Sequence, residues 1–129
     1  MAKWAEWDFE SLFDKAVFTG LEAVGFMLES HAKRLVPVDT GRLRGSITYA
    51  TQRKTGQVTA PAQSGDEVSR PTDEHTLHVG TNVEYAPHVE YGTVRSQAQP
   101  YLRPAIDNNH KQAAELMNRE IQRVLRSGS

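Results

Sequence analysis

The sequence predicts an α+β fold: a small antiparallel β-sheet packed by a long N-terminal helix and a C-terminal helix, with a long polar loop between the strands. Three observations predict it. Apolar residues recur at gaps of three and four near both ends of the chain. The period drops to two in two short stretches between those ends. The stretch separating these two is almost free of branched apolar residues. Strands grouped between helices, rather than alternating with them, point to α+β. At 129 residues and 38% hydrophobic composition, the chain fits one domain, residues 1–129, with one modest core.

The first helix is predicted from about Asp8 to Val36. Phe13, Val17, Leu21, Val24, Leu28, Ala32 and Leu35 fall on one stripe, while Glu10, Asp14, Glu22, Glu29 and Lys33 are expected to face water. Such a helix is roughly 40 Å long at 1.5 Å per residue. Gly20 and Gly25 weaken it by about 1 kcal/mol each relative to alanine, so they are expected to mark a face where another backbone comes close. Pro37 stops the helix, because it has no N–H and pushes Val36 out of the helical region. Asp39, Thr40 and Gly41 are expected to form a turn, and Gly41→Val should destabilise the fold if Gly41 takes a positive φ. Asp39 or Thr40 would then cap a short segment, Arg42–Gly45.

From Ser46 the pattern alternates. Ile47, Tyr49 and Thr51 against Ser46, Thr48 and Ala50 predict one strand, and His75–Thr81 predicts a second. Between them Gln52–Glu74 has only Val58 and Val68 as branched apolar residues, and it is expected to be a long mobile loop. Further on, Pro87 suits a first helical position and Gly92 the residue past a helix end, which predicts one helical turn. Pro104 again suits a first helical position. Leu102, Ile106, Ala113, Met117, Ile121 and Val124 give the last helical stripe, with Arg119, Arg123 and Arg126 near its C-terminal end.

Several function classes are disfavoured at this level. The absence of cysteine excludes disulfides, thiolate chemistry and cysteine-based zinc sites. A net charge of −1 disfavours coating of nucleic acid, which depends on a net basic face. The start, MAKWAEWDFE, lacks the layout of a signal peptide, and no stretch suits a membrane span. The chain is therefore expected to stay in the cell that makes it until assembly. The five histidines are placed without metal-ligand spacing, so no metal and no cofactor are expected. Glu84, His88 and Glu90 form a compact titratable group that Asp39 and Ser46 could join, but no nucleophile elbow or phosphate loop accompanies them. Lys33, Arg34, Arg42 and Arg44 could contact phosphate; pairing with carboxylates is the plainer expectation. Trp4 and Trp7, spaced by three, could fold back on the core or insert into a neighbour.

Three stretches, Lys33–Ile47 (KRLVPVDTGRLRGSI), Val79–Thr93 (VGTNVEYAPHVEYGT) and Gln99–Ala105 (QPYLRPA), together resemble the gene-product-ten-like minor tail components of siphophages. The resemblance spans roughly residues 8 to 125. It implies a non-enzymatic virion protein of a tailed bacteriophage, a subunit of a homo-oligomeric ring in the neck or tail-completion region that joins the DNA-filled head to the tail. The implied partners are the head connector and the tail tube or tail terminator proteins, with genomic DNA passing through the channel without specific binding. Structural jobs follow as expectations. Pro37, Asp39, Thr40 and Gly41 fix the exit from the first helix; Tyr85, Tyr91 and Gly92 shape the short helix against the sheet; Pro100, Tyr101, Leu102 and Pro104 position the last helix. Trp4, Trp7, Arg42 and Arg44 are the candidate interface residues. The rival readings are a phage DNA-binding or packaging-associated protein, a host-directed interaction module, and a small hydrolase using His88 with Glu84 or Glu90.

Overall fold

A computed structural model describes residues 2–37, 41–95 and 97–127, with side chains described from Asp14 onward. The predicted α+β architecture is present. Its elements run α1 (Ala2–Leu35), α2 (Gly41–Ser46), β1 (Thr48–Ala50), β2 (His78–Gly80), α3 (Ala86–Tyr91), α4 (Leu102–Asp107) and α5 (His110–Ser127). The strands pair antiparallel, with Thr48 opposite Gly80, Tyr49 opposite Val79 and Ala50 opposite His78. Both are shorter than their alternating patterns suggested.

α1 is the shared wall of the molecule. It packs against α5, β1, α4 and β2. At 34 residues it is about 50 Å long. Val17, Leu21, Val24, Leu28 and Ala32 are buried, as the stripe requires. The stripe ends differently from the prediction: Leu35 is exposed, and Val36 is buried in its place. The Val36 N–H still donates to the Ala32 carbonyl at 3.0 Å, which continues the last turn and swings Val36 inward. The two helix glycines do mark close approaches. A Cβ at Gly20 would collide with Met117 of α5, and one at Gly25 would lie 2.8 Å from the Tyr49 side chain of β1. α1 is thereby held between a helix on one side and the sheet on another.

The principal core lies at the C-terminal end of α1. Ala32, Val36, Leu43, Ile47, Val83, Ala86, Tyr101 and Ala105 form one buried cluster, with Tyr85, Val89 and Leu102 packed against it. Residues from four helices and the connections around the sheet thus share one apolar centre. Burial of Tyr101 pushes its phenol pKa up to about 12, and the nearby Glu90 adds to this.

Four predictions about local structure need correction. Gly41 is not a left-handed turn residue. It opens α2, and the glycines with positive φ among the described residues are Gly65, Gly80 and Gly92. Pro104 is not the first residue of its helix but the third, because α4 starts at Leu102. The last helix is not continuous either. It breaks at Asn108 and Asn109, and the Asn109 side-chain amide donates to the Ala105 carbonyl at 2.7 Å. Asparagine competes with the backbone for such bonds, which makes it a good break point. The fourth concerns Glu29, expected to face water. It is buried, and its Oε1 accepts the Tyr49 N–H at 3.1 Å.

The 52–74 stretch lacks regular structure, as its composition suggested, but it is tied down at several points. Gly56 N–H donates to the Tyr49 carbonyl at 2.8 Å, Thr59 N–H to the Gly45 carbonyl at 2.8 Å, and Val68 N–H to the Thr48 hydroxyl at 3.0 Å. Gly45 lets the Thr59 carbonyl come closer than any side chain would allow. These ties are polar, so a count of apolar residues does not foresee them.

Candidate functional site

The polar centre of the molecule is built on Arg42, which α2 carries at its second residue. The guanidinium grips two carboxylates. Nε donates to Asp66 Oδ2 at 3.1 Å and Nη2 to Asp66 Oδ1 at 3.0 Å, while Nη1 and Nη2 donate to Glu84 Oε1 and Oε2 at 3.0 and 3.2 Å. Both contacts are bidentate, the geometry in which arginine is strongest. The Tyr85 ring lies under the same group, 5.9 Å from Cζ to its centroid. Asp66 Oδ2 also accepts the Gln63 N–H at 3.0 Å, and the Asp66 carbonyl accepts the Asn82 N–H at 2.8 Å. One arginine therefore joins α2, the 52–74 stretch and the turn before α3. Arg42, then the Gln63 N–H, hold the Asp66 carboxyl below the ordinary aspartate range. The Glu84 carboxyl is lowered first by its own backbone N–H and then by Arg42, and Arg42 itself is pushed further up.

A second carboxylate, Glu90, has a different task. It sits on α3 and is buried, 8% exposed. Its Oε1 accepts the N–H groups of Tyr101 at 3.2 Å and Leu102 at 3.0 Å, and its Oε2 accepts that of Arg103 at 3.1 Å. The first N–H groups of a helix have no partner inside it. The capping residue Tyr101 makes no side-chain cap bond. A glutamate from another helix fills that role for α4, placing negative charge where the helix dipole favours it.

Next to β2, between α3 and α4, lies an open groove of about 430 Å³. Val79, Val83, Ala86, Pro87, Tyr91 and Leu102 give it apolar walls. Glu84 and Glu90 also line it. This is the volume of a small peptide or ligand site; of its two carboxylates, Glu90 is committed to backbone N–H groups, while Glu84 shares Arg42 with Asp66 and is largely exposed.

The structure sorts the residues singled out in the sequence. Gly92 ends α3 with φ 81, and its N–H donates to the His88 carbonyl at 2.9 Å. Tyr85 packs on the core, Tyr101 is inside it and Leu102 borders it. Tyr91 is corrected: it does not pack on the sheet but stands 73% exposed. Pro100 is exposed as well; the start of α4 is held by Tyr101 in the core and by the Glu90 carboxylate. Pro37 is half-buried. Asp39 and Thr40 lie outside the described residues, as do the side chains of Trp4 and Trp7. Arg44 is exposed; Lys33 lies 3.6 Å from Glu29, and Arg34 Nε donates to the Ser30 carbonyl. The basic cluster is thus largely engaged with the protein's own acceptors.

Glu84, His88 and Glu90 do not converge on a reacting centre. Two are held by separate partners, His88 is exposed, and Ser46 is buried with its hydroxyl 2.6 Å from that of Thr81. Among the described residues, the group spaced to share a metal ion is Asp14, Glu74 and His75, whose ligand atoms lie within 4.8 Å of one another at the surface. His78 is not part of it; its Nδ1 is 2.7 Å from the Ser69 carbonyl. No described helix is long and apolar enough to cross a membrane.

Sequence reasoning missed the roles of Asp66, Glu90 and Glu29. Only Glu29 carries a local sign, the Lys33 four residues on. Apart from the Gln63 N–H, three residues before Asp66, the side-chain partners of Asp66 and Glu90 lie 24 and 11 or more residues away, with no spacing to announce them.

No curated protein and no solved structure matched the chain. Residues 5–92 match the family described as "Bacteriophage HK97-gp10, putative tail-component". The match takes in Lys33–Ile47 and all but the last residue of Val79–Thr93, while Gln99–Ala105 lies beyond it. Arg42, Asp66, Glu84 and Glu90 all fall within the matched span, and since that span covers more than half of the sequence, the chain belongs to the HK97-gp10-like family of bacteriophage tail components.

Proposed function

We propose that this protein is a structural subunit of a ring in the neck or tail-completion region of a tailed bacteriophage, joining the DNA-filled head to the tail. Family membership over residues 5–92 carries this reading. The arrangement of polar groups supports it: Glu90 is spent on backbone N–H groups and Glu84 on Arg42, while His88 stands exposed apart from both bonds. Its neighbours in this reading are further copies of itself, the head connector, and the tail tube or terminator. DNA passes through without specific contacts, which suits a net charge of −1 and a basic cluster largely engaged with carboxylates and carbonyls. The subunit occupies the virion neck or tail after assembly and the host cytoplasm before it.

The test is a phage whose gene for this chain is disrupted. Unjoined heads and tails by electron microscopy, with joining restored by the purified protein, are the expected result. Infectious particles with normally joined tails would end the proposal.

A further inference from the structure

The groove beside β2 has a counterpart on the same molecule. Between α3 and α4 the chain makes an excursion closed at its base by the Gln99 N–H, which donates to the Val89 carbonyl at 2.9 Å. On that excursion Val94 is 106% exposed, so its side chain is open to solvent. Arg95 follows it, with its backbone N–H held by the Thr93 hydroxyl at 3.2 Å and no ion-pair partner for its side chain among the described residues. The groove is the complement in both respects. Its walls are apolar, and at its mouth Glu84, 72% exposed, shares a single arginine with Asp66, which leaves one negative charge unbalanced there.

We propose that the groove is the docking site for the Val94–Arg95 knob of a second copy of this chain, with Val94 seated among Val79, Pro87 and Leu102 and Arg95 facing Glu84. This rests on the ring reading and deepens it by naming the two faces that meet. A knob of one subunit seated in the groove of the next, without reciprocal exchange, is a heterologous contact, which closes into a ring when the rotation between copies does. An apolar anchor in a pocket supplies affinity, and the opposite charges at its rim set register.

The chain has no cysteine, so paired single-cysteine variants report the contact cleanly. Particles are assembled from a mixture of Val94→Cys and Pro87→Cys chains and oxidised. A disulfide needs Cα atoms within about 7 Å. A reducible two-chain product is expected from this mixture, and several-fold less from Val94→Cys mixed with Gln122→Cys on α5. Equal cross-linking of the control, or none in particles that contain the protein and are normally joined, overturns the contact and leaves the ring reading standing. Absence of the wild-type chain from particles overturns both. A second variant, Val94→Asp, is expected to keep the wild-type denaturation midpoint while its incorporation into particles falls at least several-fold. Unchanged incorporation also overturns the proposal.

Discussion

The two ends of the chain and its middle are held by different forces. α1 and α5 meet through apolar side chains and the space left by Gly20, and β1 meets α1 in the space left by Gly25. From Gly41 to Asp107 the regular elements are three to six residues long, too short to stabilise themselves. There the apolar cluster around Leu43, Ile47, Val83 and Tyr101 is supplemented by carboxylates, bonded to backbone N–H groups and to one arginine, that fix the path. Apolar packing tolerates changes of detail that conserve volume. A buried carboxylate that satisfies several donors does not, because removing it strands all of them.

The most damaging substitution should therefore lie in the middle. Glu90→Ala leaves three N–H groups at the start of α4 without their acceptor, and it should cost about 2–4 kcal/mol in urea denaturation. Glu90→Gln should cost less, since an amide oxygen still accepts. A loss under 1 kcal/mol for Glu90→Ala would show that water replaces the carboxylate there. At the end of the chain held by packing, Gly25→Ala places a methyl against Tyr49. The expected loss is about 1–2 kcal/mol, the cost of overpacking less the gain in helix propensity.

The Arg42 clamp should show more in local opening than in global stability. Arg42→Met frees Asp66, and protease cleavage between Gln52 and Glu74 should quicken well before the denaturation midpoint moves far. Acid should act on the same contacts. The Asp66 and Glu84 carboxyls lie lower in the folded protein than their ordinary values of 3.8 and 4.5. The stability they contribute is present above those values and is lost as pH falls through the lowered folded ones.

Glu29 works in the opposite sense. Burial raises its carboxyl above 4.5 despite Lys33 and the Tyr49 N–H. Above 4.5 the folded state holds that proton longer than the unfolded state, so this group's contribution to stability declines as pH rises until it has ionised in both. Glu29→Gln keeps an acceptor for Tyr49 and should flatten the stability profile above pH 4.5; an unchanged profile would show that Lys33 balances the burial. The smallest effect is expected at Gly41. Its backbone is not left-handed, so Gly41→Ala should shift stability by no more than about 0.5 kcal/mol, the scale of a surface change. A larger loss would trace to Pro61, whose Cδ a new Cβ would meet at 3.0 Å.

The same division explains what could be read in the sequence. Stripes at gaps of three and four announce α1 and α5, because packing is periodic along a helix; alternation announces β1 although both faces of that strand are buried. Gly92 announces the end of α3, and Pro87, expected to open it, is its second residue, because both act on their own backbone. Arg42 with Asp66, and Glu90 with Leu102, leave no comparable trace: each joins segments whose meeting depends on the finished fold. The break at Asn108–Asn109 does have a local sign: the last stripe lacks an apolar member between Ile106 and Ala113, and Ile106 itself stands exposed.

Glu90 also separates two jobs that a connection usually performs together. It bonds the end of α3 directly to the start of α4, while the Gln99 N–H pins the returning chain to Val89. The residues between Gly92 and Gln99 consequently bear no responsibility for where α4 begins. Lengthening a connection costs little entropy, so insertions or deletions here should leave the rest of the architecture in register. Natural variants of such a chain are free to retune length and chemistry at this spot, matching a changed neighbour without rebuilding the scaffold.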